Sequence, residues 1–233
     1  MNFDILNAPG WYGKLPALGD FAGRRLAASW VQSCDRWLSD CVAASQEQLG
    51  PRWLDVYLSA PVWRFAWAPG VVDHQWWFGV LMPSCDNVGR YFPLLVAQSR
   101  ERPPLDRAGF DHLEAWWAHV GHAALQTLHD QTSVDQFEET LARAPAWPGS
   151  PALAAGPAVA ASGRYRHATA EGASLAQVLQ GIAAHDVLAR LAGGSLWWPM
   201  GGAGGEGDHD PTITIAQGLP QPDQFAELLA CGW

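Results

Sequence analysis

The stretch QWWFGVLMP, Gln75 to Pro83, decides the fold. In an extended chain successive side chains point to opposite faces, so the adjacent pair Trp76-Trp77 puts one large ring on each face of a sheet. Both faces must then be covered. Working outward, VWRFAW (Val62–Trp67) precedes this stretch and RYFPLLVAQ (Arg90–Gln98) follows it, each with period-two patterning and flanked by Gly, Pro, Asp or Asn. The connections APGVVDH and SCDNVG are short, which predicts antiparallel neighbours, since a parallel return needs a crossover of about a dozen residues or more. Further on, SLWWPM (Ser195–Met200) repeats the double-tryptophan signal at Trp197-Trp198 and is too apolar to stand alone. It is expected to join the earlier strands.

Around this sheet the period changes to that of a helix. From Phe21 to Leu49 the rows Trp30, Cys34, Trp37, Cys41 and Val31, Leu38, Val42, Leu49 recur at helical spacing, with Asp20 as the expected N-cap and Gly50-Pro51 as the stop. Helices are also predicted over Phe110–Leu128, over Ser133–Arg143 behind a Ser133 cap, over Ser174–Leu191 and from Pro222. WYGKLP reads as a short strand, as does Thr212–Ile215. The Pro/Ala/Gly-rich run from Ala142 to Gly163 reads as a long irregular connection. The expected architecture is α/β: a single domain over residues 1–233, a three-layer alpha-beta-alpha sandwich around an antiparallel or mixed sheet.

Composition narrows the function. A chain of 233 residues, 48% hydrophobic with 14 tryptophans, fills a sizeable core. Its formal charge of -9 opposes nucleic acid and anionic membrane as partners. The amino terminus shows no signal-peptide pattern, and no apolar run approaches the roughly 20 residues of a membrane span, so a cytoplasmic protein without membrane insertion is expected. Cys34 and Cys41, seven apart on a predicted helix, lie about 10 Å apart, too far for a disulfide. They are expected to be buried free thiols.

The stretch GWYGKLPALGDFAGRR carries the only lysine, Lys14. A phosphate-binding P-loop places its lysine after the second glycine and before Ser or Thr, and here both requirements fail. PSCDNVGRYFPL is the second notable segment, a turn offering Ser84, Asp86 and Arg90. If the sheet brings these two segments together, Lys14, Asp20, Asp86 and Arg90 form a charged cluster. That cluster is either a surface for charge-assisted bonds or an intramolecular salt-bridge network locking two loops.

His112, His119, His122 and His129 fall within an arc of roughly 100° on one predicted helix. Metal ligation would need a third ligand, such as Asp111 or the Asp208–Asp210 loop. A polar helix face is the simpler reading. GGAGGEGDHD leads into Pro211, not a helix, and its carboxylates repel anions. No GxSxG elbow exists, and no motif links Cys85 to a histidine.

Taken in order, GWYGKLPALGDF, APVWRFAW, WFGVLMPSCDNVGRYFPLLV, SLWWPMGG and GLP resemble the TagF family of type VI secretion-associated proteins over most of the chain. The resemblance implies an alpha-beta-alpha sandwich and a cytoplasmic accessory protein of the bacterial secretion apparatus, a post-translational repressor of its assembly or firing. It implies a forkhead-associated scaffold protein as partner. Some family members carry a PP2C-like phosphatase domain, whose DGxxG pattern is missing here, so no enzymatic activity, cofactor or metal is expected. Cys85 and Asn87 stand where the family pattern has Val and Arg, which weakens a charge-based role for the turn. The expected partner contacts are Lys14, Asp20, Arg24, Asp86 and Arg90. Two alternatives are a metal-assisted hydrolase using the His112–His129 helix and a purely structural subunit.

Overall fold

The computed structural model describes residues 8–129, 132–147, 149, 153–201 and 212–232. Its strands are β1 (Gly10–Gly13), β2 (Ala22–Arg24), β3 (Trp63–Trp67), β4 (Trp76–Met82), β5 (Leu94–Arg100), β6 (Val159–Ala161), β7 (Arg164–Arg166), β8 (Gly194–Pro199) and β9 (Thr214–Gln217). The helices are α1 (Ala28–Leu49), α2 (Trp53–Ser59), α3 (Arg107–Gln126), α4 (Val134–Ala142), α5 (Leu175–Leu191) and α6 (Phe225–Leu229). Seven strands make one sheet in the order β2-β1-β5-β4-β3-β8-β9, while β6 and β7 pair separately. Every neighbouring pair in the large sheet is antiparallel. SLWWPM does join the earlier strands, with Phe65 opposite Trp197.

The double-tryptophan argument holds in detail. Trp77 belongs to a buried cluster with Trp63, Phe65, Trp67 and Trp197, packed with Trp30, Cys34 and Leu38 of α1 and Phe225 and Leu228 of α6. Trp76 belongs to a second cluster with Ala66, Phe78, Val80 and Val96, packed with Leu113, Trp116 and Val120 of α3 and Phe137 of α4. Strand alternation alone assigns each residue to its cluster. Gly79, mid-β4, admits the tightest approach in the sheet: a Cβ there would stand 2.0 Å from the Val96 carbonyl oxygen and 2.5 Å from the Phe65 ring.

The amino-terminal expectation is corrected. No helix begins at Phe21; Ala22–Arg24 is a strand antiparallel to β1, with Trp11 opposite Arg24. Asp20 is therefore not the N-cap. Ala27 occupies that position and supplies no side-chain cap. The chain reverses at Arg25, whose φ is 59° and whose guanidinium donates to the Pro9 carbonyl at 2.9 and 3.1 Å. Tertiary bonds from Arg25 thus outweigh the helical period that continues toward it.

Caps elsewhere follow the sequence. Ser133 and Ser174 each close a capping box, with Gln136 and Gln177 respectively. At the end of the run from 142 to 163 the structure adds what patterning did not show, the β6–β7 hairpin, which turns at Ser162 and Gly163 with φ of 51° and 71° and continues past the run. The last strand, expected at Thr212–Ile215, is Thr214–Gln217. The terminal helix starts as a 3-10 turn, Pro222–Gln224, before α6.

Candidate functional site

The site grows from the end of β1. Gly13 has a φ of 136°, and a Cβ there would meet the Pro93 carbonyl oxygen at 2.2 Å, so only glycine lets the chain pass β5 this closely. The next residue, Lys14, is buried, and its ammonium donates to Asp86 Oδ2 at 2.9 Å. Its Nζ also lies 5.0 Å from the centroid of the Phe21 ring, a cation–π contact.

The PSCDNVGR turn clasps this lysine. Ser84 Oγ donates to the Lys14 carbonyl at 2.8 Å, and the Asn87 amide donates to the Leu18 carbonyl at 2.9 Å. From α2, Tyr57 Oη donates to the Ser84 carbonyl and accepts from the Ser84 amide, both at 3.0 Å. Arg90 Nε donates to Asp86 Oδ2 at 2.7 Å, and its Nη2 reaches the Gly19 carbonyl at 2.5 Å. The structure thus brings Lys14, Asp86 and Arg90 into one intramolecular network that locks the two loops.

Asp86 is the hub. Burial pushes its carboxyl up, but the Arg90 amide, the Lys14 ammonium, the Arg90 guanidinium and the Val88 amide more than reverse this, holding it well below the usual carboxylate range. Such a carboxylate neither donates nor accepts a proton near neutrality. At neighbouring Cys85, burial and then Asp86 push the thiol up against a smaller opposing pull from Lys14.

Asp20 and Arg24 stand outside the network. Both are exposed; Asp20 Oδ1 accepts from the Phe21 amide at 2.8 Å, and Arg24 Nη1 donates to the Gly23 carbonyl at 3.2 Å. Arg24 lines a groove of about 730 Å³ together with Tyr12, Phe21, Leu26, Val31 and Asp35, between β1, β2 and helix α1. Phe21 is 43% exposed there, and Val88, on the neighbouring turn, is 67% exposed. Sequence reasoning missed Tyr57 and Ser84 as the clamp under the turn, and Arg25, which pairs with Glu138 of α4. Tyr57 carried no local signal, and the partner of Arg25 lies 113 positions away.

The histidines go elsewhere. His112 Nδ1 lies 2.7 Å from the Ala108 carbonyl oxygen, His119 Nε2 lies 2.7 Å from that of Thr140, and His122 contacts Gln126. His129 lies beyond the end of α3. Among the described residues no three His, Cys, Asp or Glu side chains gather as a metal site. GGAGGEGDHD, apart from its first glycine, lies outside the described residues. Cys34 and Cys41 are buried, and burial pushes the Cys41 thiol up to about 12. No helix among the described residues is long and apolar enough to cross a membrane.

Residues 10–144, holding β1 to β5 and α1 to α4, match the TagF N-terminal domain, described as type VI secretion system-associated. The chain belongs to the TagF family. The TagF match ends before α5, yet β8, β9 and α6 complete the same sheet and one of its cores. Consistent with this, the crystal structure of PA0076 from Pseudomonas aeruginosa PAO1 superposes with a TM-score of 0.75 at 35% identity, covering 95% of this TagF chain and 94% of that one. A search of curated proteins gives no match.

Proposed function

We propose that this type VI secretion-associated protein is a non-catalytic, cytoplasmic repressor that acts after translation. It would bind a forkhead-associated scaffold protein and so block assembly or firing. It is read as one three-layered domain over the whole chain. The observation that carries the binding reading is the rim around β2: Asp20, Phe21, Arg24, Val88 and Arg90 are exposed, while the loops that present them are tied down by the buried Lys14–Asp86 pair. A rigid backbone under an exposed mixed-charge rim loses little entropy on docking, which favours partner recognition. Lys14 and Asp86, with side chains 6% and 0% exposed, act in this reading as the lock beneath the contact, leaving Asp20, Arg24 and Arg90 to touch the partner. The carboxylate of the site holds a proton too weakly for acid–base work, and its thiol holds one too tightly to favour the thiolate.

The test is calorimetric titration of the full chain with the scaffold protein of its own secretion system, repeated with Asp20→Arg and Arg24→Glu. Binding weakened at least about tenfold by the reversals supports the reading. Absence of binding, together with unchanged secretion when the protein is overproduced, overturns it.

A further inference from the structure

Arg25 and Arg64, both partly shielded from solvent, each hold a carboxylate, Glu138 and Glu114 respectively. Arg100, the half-buried last residue of β5, forms no ion pair among the described residues. Its Nε is shut off from solvent with no acceptor, and so is the indole Nε1 of Trp147. The two groups are stacked, Arg100 Cζ lying 4.6 Å from the centroid of the Trp147 ring. Burial pulls the pKa of Arg100 below its ordinary value, as expected for a cation held in the fold without a counter-charge.

These groups border a cavity of about 520 Å³ between β5, α3 and the chain after α4. Pro9, Gln98, Trp116, Leu141 and Pro145 line it beside them, and among the described residues its lining contains no acidic side chain. Along β5 the same face carries Leu94 and Val96 into the core and then Gln98 and Arg100 into the cavity, so an apolar row turns polar where the cavity opens. A volume of this size falls in the range of small-molecule pockets, about 300–1,000 Å³. The guanidinium is a planar fork of donors that matches the two oxygens of a carboxylate, and stacking on an indole fixes its plane. A phosphate dianion would draw on more than one cation, and the described lining residues offer one, Arg100.

We propose that this cavity binds a small organic carboxylate, with its two oxygens on the Arg100 guanidinium and its flat apolar body against Trp116 and Trp147. The incoming charge supplies a counter-charge that Arg100 does not find among the described residues. The site lies apart from the β2 rim and does not depend on the scaffold-binding reading.

The experiment is a titration of the ¹⁵N-labelled full chain with sodium benzoate, benzamide and inorganic phosphate. It is followed at the Trp147 indole N–H signal, which Trp147→Phe assigns. Benzoate should move that signal saturably, with benzamide at least about tenfold weaker for want of the charge. Arg100→Gln should lose the benzoate response while its ligand-free melting temperature stays level or rises. Arg100→Lys, which keeps the charge without the fork, should bind benzoate about tenfold more weakly and covers the case in which the glutamine variant fails to fold. No saturable response to benzoate, an equal response in either arginine variant, or a stronger response to phosphate than to benzoate overturns the proposal.

Discussion

At the start of β5, where Gly13 pairs with Leu94, the adjacent Lys14 is withdrawn from water onto Asp86. At the far end of the same strand Arg100 is half-buried on an indole, with no carboxylate paired to it among the described residues. The first cation spends its charge inside the chain, where a shared carboxylate and a set of amides fix two loops. The second keeps its charge available. Burial of a cation therefore says little by itself; the presence or absence of its counter-charge separates a structural lock from a binding group.

The largest effect is expected where the pair is broken. Lys14→Met should lose about 3 kcal/mol of stability by urea unfolding, because a buried ion pair is stripped of one partner. Asp86→Asn should cost less in the Lys14→Met background than in the wild type, the coupling that a double-mutant cycle reads. Equal costs in the two backgrounds would break the comparison at its structural end.

Acid should act on the same hub. The carboxyl of Asp86 is lowered in the folded state, so its contribution is full above the unfolded carboxylate range, about pH 4, and fades as pH falls through the lowered folded value. Urea midpoints measured from pH 7 downward should drop on the acid side, and Asp86→Asn should flatten that limb. A variant that keeps the wild-type acid slope would remove Asp86 from the account.

Smaller changes belong to the other end. Arg100→Met should leave stability within about 1 kcal/mol of the wild type or raise it, since removing an uncompensated cation relieves a desolvation cost. A loss as large as that of Lys14→Met would show Arg100 to be a second lock. Smallest of all, Arg24→Glu on the exposed rim should shift stability by no more than about 0.5 kcal/mol, so any loss of partner affinity reports on contact alone.

Much of the sheet was legible because its signal is local. Trp76 and Trp77 sort to opposite cores by strand parity, and short turns leave antiparallel pairing as the economical route from Trp63 to Arg100. Ser133 was readable as a cap, and Ser174 as a helix start, because a capping box is written within four residues. The start of α1 was misread because its limit is set from outside the helix: Arg25 takes a left-handed conformation held by Pro9 and Glu138. At the site, a cluster of Lys14, Asp20, Asp86 and Arg90 was conditional on the sheet joining two segments, and the structure brings together all but Asp20. Two roles were open for it, a surface for charge-assisted bonds or an internal lock. Choosing between them needed the burial of Lys14, which depends on Gly13, Ser84 and Tyr57 together.

By itself, then, the sequence determined a two-faced aromatic sheet, most of its long helices though not the start of α1 or the short α2, and its family, because period and turn length act over a few residues at a time. Only the tertiary structure decided that Lys14 is a lock and that Arg100 has no counter-charge among the described residues. The nearest carboxylate of a buried cation is a matter of distance in space, and Asp86 stands 72 positions from Lys14.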